Sequence, residues 1–149
     1  MNHVELFTDG SCIGNPGPGG WGYLLRIEAK EQKGSGGEPD TTNNRMELKA
    51  VIEGLKEITQ MDESLKKVTV FSDSSWVVFT MTKNWKRKKN KDLWLALDEL
   101  IHSHRLQVSW EWVKGHAGHR ENEICDQLAQ AEALKQAKSN RRMERPSLF

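Results

Sequence analysis

Two eight-residue segments share one alternating pattern of apolar and polar positions. Residues 4–11 read VELFTDGS and residues 68–75 read VTVFSDSS, so both run apolar, polar, apolar, Phe, hydroxyl, Asp, small and Ser. Alternation of this kind, rich in β-formers and running into small polar residues, predicts a strand that ends in a turn. Each segment therefore places an Asp, Asp9 or Asp73, at the carboxyl end of a strand, on the same face as the Phe two residues earlier.

The two Asp residues gain a common role if their strands lie side by side and parallel. The carboxylates of Asp9 and Asp73 then meet at one end of a sheet, where ligands of open α/β sheets bind. Converging carboxylates repel each other and need a shared proton or a cation. The alternative is that two unrelated strands each stop at Asp, which is a common turn residue.

The rest of the pattern predicts three more strands and four helices. The strands fall at residues 21–28, at a weak edge segment around 34–39, and at 107–113. The helices fall at residues 45–59, 74–83, 91–104 and 120–138. This order predicts one α/β domain over residues 1–138, with a mixed sheet and helices on its faces, followed by a polar, disordered tail at 139–149. Periodicity alone does not fix the order of the strands.

Three polar residues outside the repeated segments are candidates for chemistry, and each has a plain alternative. Glu47 lies on the apolar stripe of its helix, where a carboxylate needs a partner or a cation; with Asn44 as the predicted N-cap, it would instead cap the helix. His116 lies between glycines after the last strand, and a lone loop His usually has no special role. Asp126 lies early in the last helix, where it also complements the helix dipole.

Aromatic and basic residues outside these positions suggest core packing and substrate contact. Val108, Trp110 and Trp112 share one face of the last strand, and we interpret both Trp residues as core. A short basic segment follows Trp85 and consists of Lys86, Arg87, Lys88 and Lys89. Such a run is usually a solvated surface, but its combination with Trp indicates contact with nucleic acid.

Composition narrows the location of the protein more than its function. The 149 residues carry a formal net charge of +1, which argues neither for nor against nucleic acid. No apolar run is long enough for a membrane span, and the amino terminus lacks a signal-peptide pattern. Two widely spaced cysteines fit a reducing compartment. We therefore expect a cytoplasmic protein without membrane contact. We also expect a monomer, although composition does not decide this.

Four motifs in order make the chain similar to the bacterial type 1 ribonucleases H, from about residue 3 to residue 137. The motifs are TDGSC with GNPG at residues 8–17, TNNRMEL at 42–48, SDS at 72–74, and WEWVKGHAGH with ENE and CD at 110–126. The resemblance implies a five-stranded mixed sheet in the order 3-2-1-4-5. It also implies hydrolysis of the RNA strand of an RNA–DNA hybrid, which leaves 5′-phosphate and 3′-hydroxyl ends.

The resemblance further implies roles for individual residues. Asp9, Glu47, Asp73 and Asp126 would hold two Mg²⁺ ions, with Mn²⁺ as a substitute, and Asp9 would bridge the ions. His116 would shuttle a proton or aid product release. Cys12, Asn15, Asn43, Asn44 and Ser75 would lie along the minor groove of the hybrid, and Asn15, Thr42 and Asn43 would lie near a phosphate of the DNA strand. Further contacts would come from Trp85, Lys86, Arg87, Lys88 and Lys89.

The chain departs from this family pattern at three places. Ser75 stands where close relatives often have Gln, which puts one groove contact in doubt. The basic segment runs almost directly into the next helix, whereas relatives with a full basic handle carry a longer insertion. Arg120 stands where relatives often have Pro. A module that binds hybrids without cutting, and another nuclease of the superfamily such as an integrase or a junction resolvase, are the competing functions.

Overall fold

A five-stranded mixed sheet forms the centre of the computed structural model, which describes residues 3–114 and 119–144. The elements in this part of the chain are β1 (His3–Cys12), β2 (Gly17–Ile27), β3 (Lys30–Thr41), α1 (Asn43–Met61), β4 (Lys67–Ser72), α2 (Ser75–Lys83), α3 (Lys91–Ser103), β5 (Gln107–Trp112) and α4 (Arg120–Glu144). The order of elements agrees with the sequence prediction, and the boundaries differ by a few residues.

The strand order is β3-β2-β1-β4-β5, as the family resemblance implied. β1, β2 and β3 form an antiparallel meander, while β4 runs parallel to β1 and β5 runs parallel to β4. The two repeated segments are therefore neighbouring parallel strands, with Leu6 opposite Val70 and Phe7 opposite Phe71. This register confirms the prediction on which the meeting of Asp9 and Asp73 depends.

The alternation of the central strands divides the core between the two faces of the sheet. Leu6, Val68 and Val70 are fully buried in a large cluster with apolar residues of α1 and α3. Phe7 and Leu24 point to the other face, where they pack with Cys125 of α4. Full burial of each large aliphatic side chain contributes roughly 1.5–3 kcal/mol, so the two clusters hold the sheet rigidly in place.

The last helix is longer than predicted. It continues through residues 139–144, which we predicted to begin a disordered tail, and the later tail residues lie outside the described part of the chain. Two physical features favour the extension. Asn140 Nδ2 donates a hydrogen bond to the carbonyl oxygen of Pro39 at 2.7 Å, and Arg141 and Arg142 place positive charge in the last turn.

No helix in residues 3–114 or 119–144 combines the length and the apolar character needed to cross a membrane.

Candidate active site

Three carboxylates from three different elements meet at one edge of the sheet. Asp9 of β1, Glu47 of α1 and Asp73 after β4 each place an oxygen within 4.8 Å of the other two. Asp9 and Glu47 are buried, and Asp73 is half-buried. The structure therefore brings together the two Asp residues of the repeated segments and the Glu of the apolar helix stripe, as predicted.

Backbone geometry explains how the three side chains come so close. The rings of Phe7 and Phe71 stack at 4.6 Å between centroids, which aligns the two strands immediately before their Asp residues. Gly10 lies against the first turns of α1: a Cβ atom at this position would lie 2.4 Å from the backbone nitrogen of Glu47. Only glycine permits this approach, so the residue after Asp9 sets the distance between β1 and Glu47.

The start of α1 decides between the two interpretations of Glu47. Thr42, and not Asn44 as predicted, is the N-cap, because its Oγ1 accepts a hydrogen bond from the backbone nitrogen of Arg45 at 3.2 Å. Glu47 therefore lies in the second turn, beyond the positions at which a side chain caps the helix. Glu47 therefore does not cap the helix. The proximity of Glu47 to Asp9 and Asp73 accounts for a carboxylate on the apolar stripe of α1.

The carboxylates are electrostatically unfavourable in the protein alone. Burial, followed by the charge of Asp73, raises the pKa of Asp9 to about 7. Burial and then the charges of Asp9 and Asp73 raise the pKa of Glu47 well above its ordinary value. Glu47 Oε2 is buried and has no hydrogen-bond partner among the described residues. Crowded oxygen ligands with an unsatisfied buried atom fit a hard divalent cation.

Asp126 and His116 are the two remaining residues that the sequence predicted to be catalytic. Asp126 lies on α4, outside the group of three, but near enough that its charge contributes to the raised pKa of Asp9. Both carboxylate oxygens of Asp126 accept from Gln130 Nε2, at 3.1 and 3.0 Å. His116 lies outside the described residues, so its role stays a prediction from the sequence.

Hydrogen bonds fix the backbone around Asp73, where β4 turns into α2. Ser72 Oγ accepts from the backbone nitrogen of Ser74 at 3.1 Å, and Ser74 Oγ caps α2 at Val77. The indole nitrogen of Trp112 donates to the carbonyl oxygen of Asp73 at 3.1 Å. Trp112 is 42% exposed, so its interpretation as a core residue was wrong. The ring packs edge-on against Phe79 in the middle of α2 rather than inside the core.

An open groove leads away from the carboxylates across the start of α1. Its volume is about 560 Å³, and its lining residues are Asn15, Thr42, Asn43, Asn44, Trp76, Lys86, Lys88, Lys89 and Asn90. A neighbouring hollow of about 320 Å³ is lined by Asn43, Asn44, Glu47, Asp73, Ser74, Ser75 and Trp76. The two spaces share Asn43, Asn44 and Trp76, so the groove adjoins the hollow that Glu47 and Asp73 line.

The groove gathers most of the predicted substrate residues and adds two. Asn15 Oδ1 accepts from the backbone nitrogen of Asn43 at 2.8 Å, which joins the loop after β1 to the start of α1. Trp76 and Asn90 were missed. Trp76 directly follows the second repeated segment, and an aromatic residue at that position could have been predicted to contact substrate. Asn90 could not be predicted from the sequence, because it reaches the groove only through the close approach of α3 to α1.

Three predicted contact residues line neither the groove nor the hollow. Trp85 is 45% exposed and packs edge-on against Phe79. Cys12 is half-buried, with its Sγ within 3.5 Å of the carbonyl oxygens of Gly17 and Thr41. Arg87 forms an ion pair with Asp98 and lies over the ring of Trp94, 5.0 Å from its centroid. The basic segment is therefore divided, since its lysines face the groove and its arginine does not.

Comparison with known proteins places this site in a family. A sequence model of the RNase H family matches residues 1–134. Ribonuclease H from Hydrogenovibrio crunogenus is 53% identical over 142 residues, which cover 87% of this chain and 94% of that protein. Ribonuclease HI from Haemophilus ducreyi is 52% identical over 142 residues, with coverage of 87% and 89%. The N-terminal RNase H domain of a Mycobacterium tuberculosis protein, solved as a fusion with maltose-binding protein, superposes with a TM-score of 0.82 at 26% identity, covering 94% of this chain and 99% of that one.

Proposed function

Because the chain belongs to the RNase H family, we propose that it is a metal-dependent endonuclease that hydrolyses the RNA strand of RNA–DNA hybrids and leaves 5′-phosphate and 3′-hydroxyl ends. The observation that carries the proposal is the convergence of Asp9, Glu47 and Asp73 beside an open groove with three lysines at its wall. Carboxylates alone repel a polyanionic substrate, so a cation must mediate the contact between them and a phosphate.

The resident cation is proposed to be Mg²⁺, with two ions bound when substrate is present and Mn²⁺ able to substitute. Asp9, Glu47 and Asp73 would hold them, and Asp126 would complete the set from α4. Mg²⁺ favours carboxylate, water and phosphate oxygens, and a pair of such ions supplies both activation of an attacking water and charge stabilisation at the leaving oxygen. The orphaned Oε2 of Glu47 supplies a preformed, desolvated ligand atom for this purpose.

The residues of the groove would hold and orient the hybrid. Asn43 and Asn44 are exposed at the N-terminus of α1, where backbone N–H groups and the helix dipole favour a phosphate. Asn15, Thr42 and Asn43 would lie near a phosphate of the DNA strand, and Asn15, Asn43, Asn44 and Ser75 would face the minor groove. Cys12 lies outside the groove and the hollow, so its contact with the minor groove stays a proposal from the sequence. Contacts with the 2′-hydroxyl distinguish RNA from DNA, so the residues nearest the carboxylates carry the strand choice.

Proton transfer is assigned to His116 on the sequence alone. Its neighbours Gly115 and Gly118 suit a loop residue that approaches and leaves the site, and imidazole titrates near neutral pH. We further propose a monomer in the cytoplasm. The free state of both described cysteines, Cys12 and Cys125, is consistent with a reducing compartment. Light scattering after size-exclusion chromatography tests the monomer directly.

Cleavage of a labelled RNA–DNA hybrid tests the proposed function. Wild-type protein with Mg²⁺ is expected to cut the RNA strand internally and to leave single-stranded RNA, duplex DNA and the DNA strand of the hybrid intact. Addition of EDTA is expected to stop the reaction. Binding of the hybrid without cleavage at any concentration of Mg²⁺ or Mn²⁺ would instead support the alternative of a binding module.

A further inference from the structure

The short basic segment between α2 and α3 presents its positive charges in two directions. Lys86, Lys88 and Lys89 are exposed and line the groove. Arg87, in the middle of the same run, is half-buried and does not line it. Four consecutive like-charged positions would otherwise be expected to spread into solvent. The segment therefore has a defined inner and outer side, although it contains neither helix nor strand.

The inner side is held by three contacts of the Arg87 side chain. Its guanidinium pairs with the carboxylate of Asp98 on α3. The same group lies over the ring of Trp94, which is 1% exposed and belongs to the main core cluster. Nη2 also approaches Met81 Sδ at 3.4 Å. A planar guanidinium that stacks on an aromatic ring while it pairs with a carboxylate is geometrically fixed in a way that an ammonium group is not.

The two ends of the segment are fixed as well. Asn84 ends α2 with a φ of 53°, and Asn90 precedes α3 with a φ of 59°; asparagine tolerates this left-handed conformation better than most residues. Asn90 Oδ1 also accepts from Arg45 Nη1 at 3.4 Å. With both ends set, the conformation of the residues between them depends on what holds the middle.

We propose that Arg87 is a positioning residue: it anchors the basic segment to α3 and thereby presents Lys86, Lys88 and Lys89 to the phosphates of the substrate. The inference rests on the proposed function, because it assumes that the groove takes a nucleic-acid backbone. Ordering three lysines before binding removes part of the entropic cost of association and offsets their mutual repulsion. The competing role is that Arg87 is itself a phosphate ligand.

Removal of the carboxylate of Asp98 separates the two roles because they predict changes of opposite sign. Asp98→Asn removes a negative charge near the groove, so general electrostatics and a freed Arg87 would both tighten hybrid binding. If the Arg87–Asp98 ion pair instead holds the basic segment in place, its loss would weaken hybrid binding. We expect the dissociation constant to rise on the order of threefold, as befits a partly exposed ion pair, while kcat at saturating hybrid stays unchanged.

Glu99→Gln is the matched control. Glu99 is the exposed neighbour of Asp98 on α3, so this variant makes the same change in net charge without touching Arg87. It is expected to bind hybrid as tightly as wild type or slightly more tightly. A second variant, Arg87→Lys, keeps the charge of the segment but loses the planar group, and it is expected to weaken binding as Asp98→Asn does.

Hybrid affinity is measured by fluorescence anisotropy at one low salt concentration with Ca²⁺ in place of Mg²⁺, and the thermal midpoint confirms that each variant is folded. Tighter or unchanged binding by Asp98→Asn overturns the anchoring role. Wild-type binding by Arg87→Lys overturns it as well. Failure of the wild type to cleave hybrid with Mg²⁺ would overturn the proposed function instead. This outcome is distinct from a failure of the anchoring role, because the anchoring role is tested by binding and not by cleavage.

Discussion

The indole N–H of Trp112 donates a hydrogen bond to the backbone carbonyl of Asp73 at 3.1 Å, from the end of β5 to the corner after β4. Asp73 is the least buried of the three clustered carboxylates, and this hydrogen bond is one of those that fix the backbone at its corner. The same Trp112 ring meets Phe79 edge-on at 5.4 Å. The pair therefore links an exposed aromatic contact to the placement of a carboxylate that we propose binds the metal.

Trp112→Phe is expected to keep the contact with Phe79 and to lose the hydrogen bond. Loosening of a residue that orients a metal ligand commonly costs about 10- to 100-fold in metal affinity or activity, and we expect the lower end because the bond is made to the backbone. The Mg²⁺ concentration for half-maximal cleavage should rise. Trp85→Phe changes the other indole that contacts Phe79 and should leave the Mg²⁺ dependence unaltered. An unchanged Mg²⁺ dependence in Trp112→Phe would remove the positioning role.

Asp9→Asn should abolish Mg²⁺-dependent cleavage without destabilising the protein. The asparagine Oδ1 still accepts the hydrogen bond that Gly10 N–H donates at 2.9 Å. The substitution removes one of three crowded like charges, so the thermal midpoint of the metal-free protein at neutral pH should stay equal or rise. Residual cleavage at the wild-type rate would refute the metal role, and a large fall in the midpoint would refute the argument from repulsion.

The stability of the metal-free protein should fall as the pH rises from weakly acidic to neutral. Asp9 has a pKa of about 7 in the folded protein, against 3.8 for an unperturbed Asp. Between these values the folded protein keeps a proton that the unfolded chain has released, so the free energy of unfolding decreases with pH. The raised pKa of Glu47 acts in the same direction. Thermal midpoints in EDTA should drop by several degrees across this window.

Mg²⁺ should reverse this trend, because it binds the deprotonated carboxylates and only in the folded state. The gain in thermal midpoint on adding Mg²⁺ is expected to be larger at neutral pH than at acidic pH. Asp9→Asn should show a flatter pH profile without metal. A midpoint that rises with pH in EDTA would show that Asp9 and Glu47 do not dominate the pH dependence of stability.

Patterns that repeat along the chain were predictable, and contacts between distant elements were not. The alternation of the two repeated segments predicted two strands that each end at an Asp. The family resemblance implied that these strands are neighbours, and the structure shows them parallel with Asp9 near Asp73. The N-cap was misplaced because Thr42 and Asn44 are both good capping residues, and only the extended backbone at Thr42 chooses between them. The inward turn of Arg87 depends on Asp98 and Trp94, which lie on the next helix and carry no signal at the position of the arginine itself.

A hybrid with one ribonucleotide flanked by DNA should be a poor substrate. The residues proposed to read 2′-hydroxyls lie in more than one place, since Ser75 is in the hollow beside Asp73 and Asn44 lines both that hollow and the groove. Several neighbouring ribose groups must therefore be present together for full contact. Cleavage rates measured for ribonucleotide runs of increasing length should increase with length; equal rates would exclude readout at several sugars.

The basic segment should contribute to the salt dependence of binding through three lysines rather than all four cations. Lys86, Lys88 and Lys89 line the groove, whereas Arg87 is engaged by Asp98. Each phosphate neutralised adds about 0.9 to the slope of log K against log salt for B-form DNA, and a hybrid should behave similarly. Replacement of the three lysines by Ala should therefore flatten the slope by roughly one to three units and weaken binding most at low salt.

The weaker binding of the triple lysine variant should raise KM and leave kcat unchanged. The lysines lie on the groove wall, apart from the carboxylates, and are expected to bind the substrate equally in the ground state and the transition state. The double variant Lys49→Ala/Lys56→Ala removes two lysines that pair with Glu53 on α1 and do not line the groove, and it controls for the loss of positive charge elsewhere on the protein. An unchanged salt slope in the triple variant would show that the three lysines do not contact phosphates of the hybrid. A fall in kcat alone would show that these lysines take part in the chemical step. Loss of contacts with a distant part of the substrate's phosphate backbone does not lower kcat, because kcat is measured on saturated enzyme.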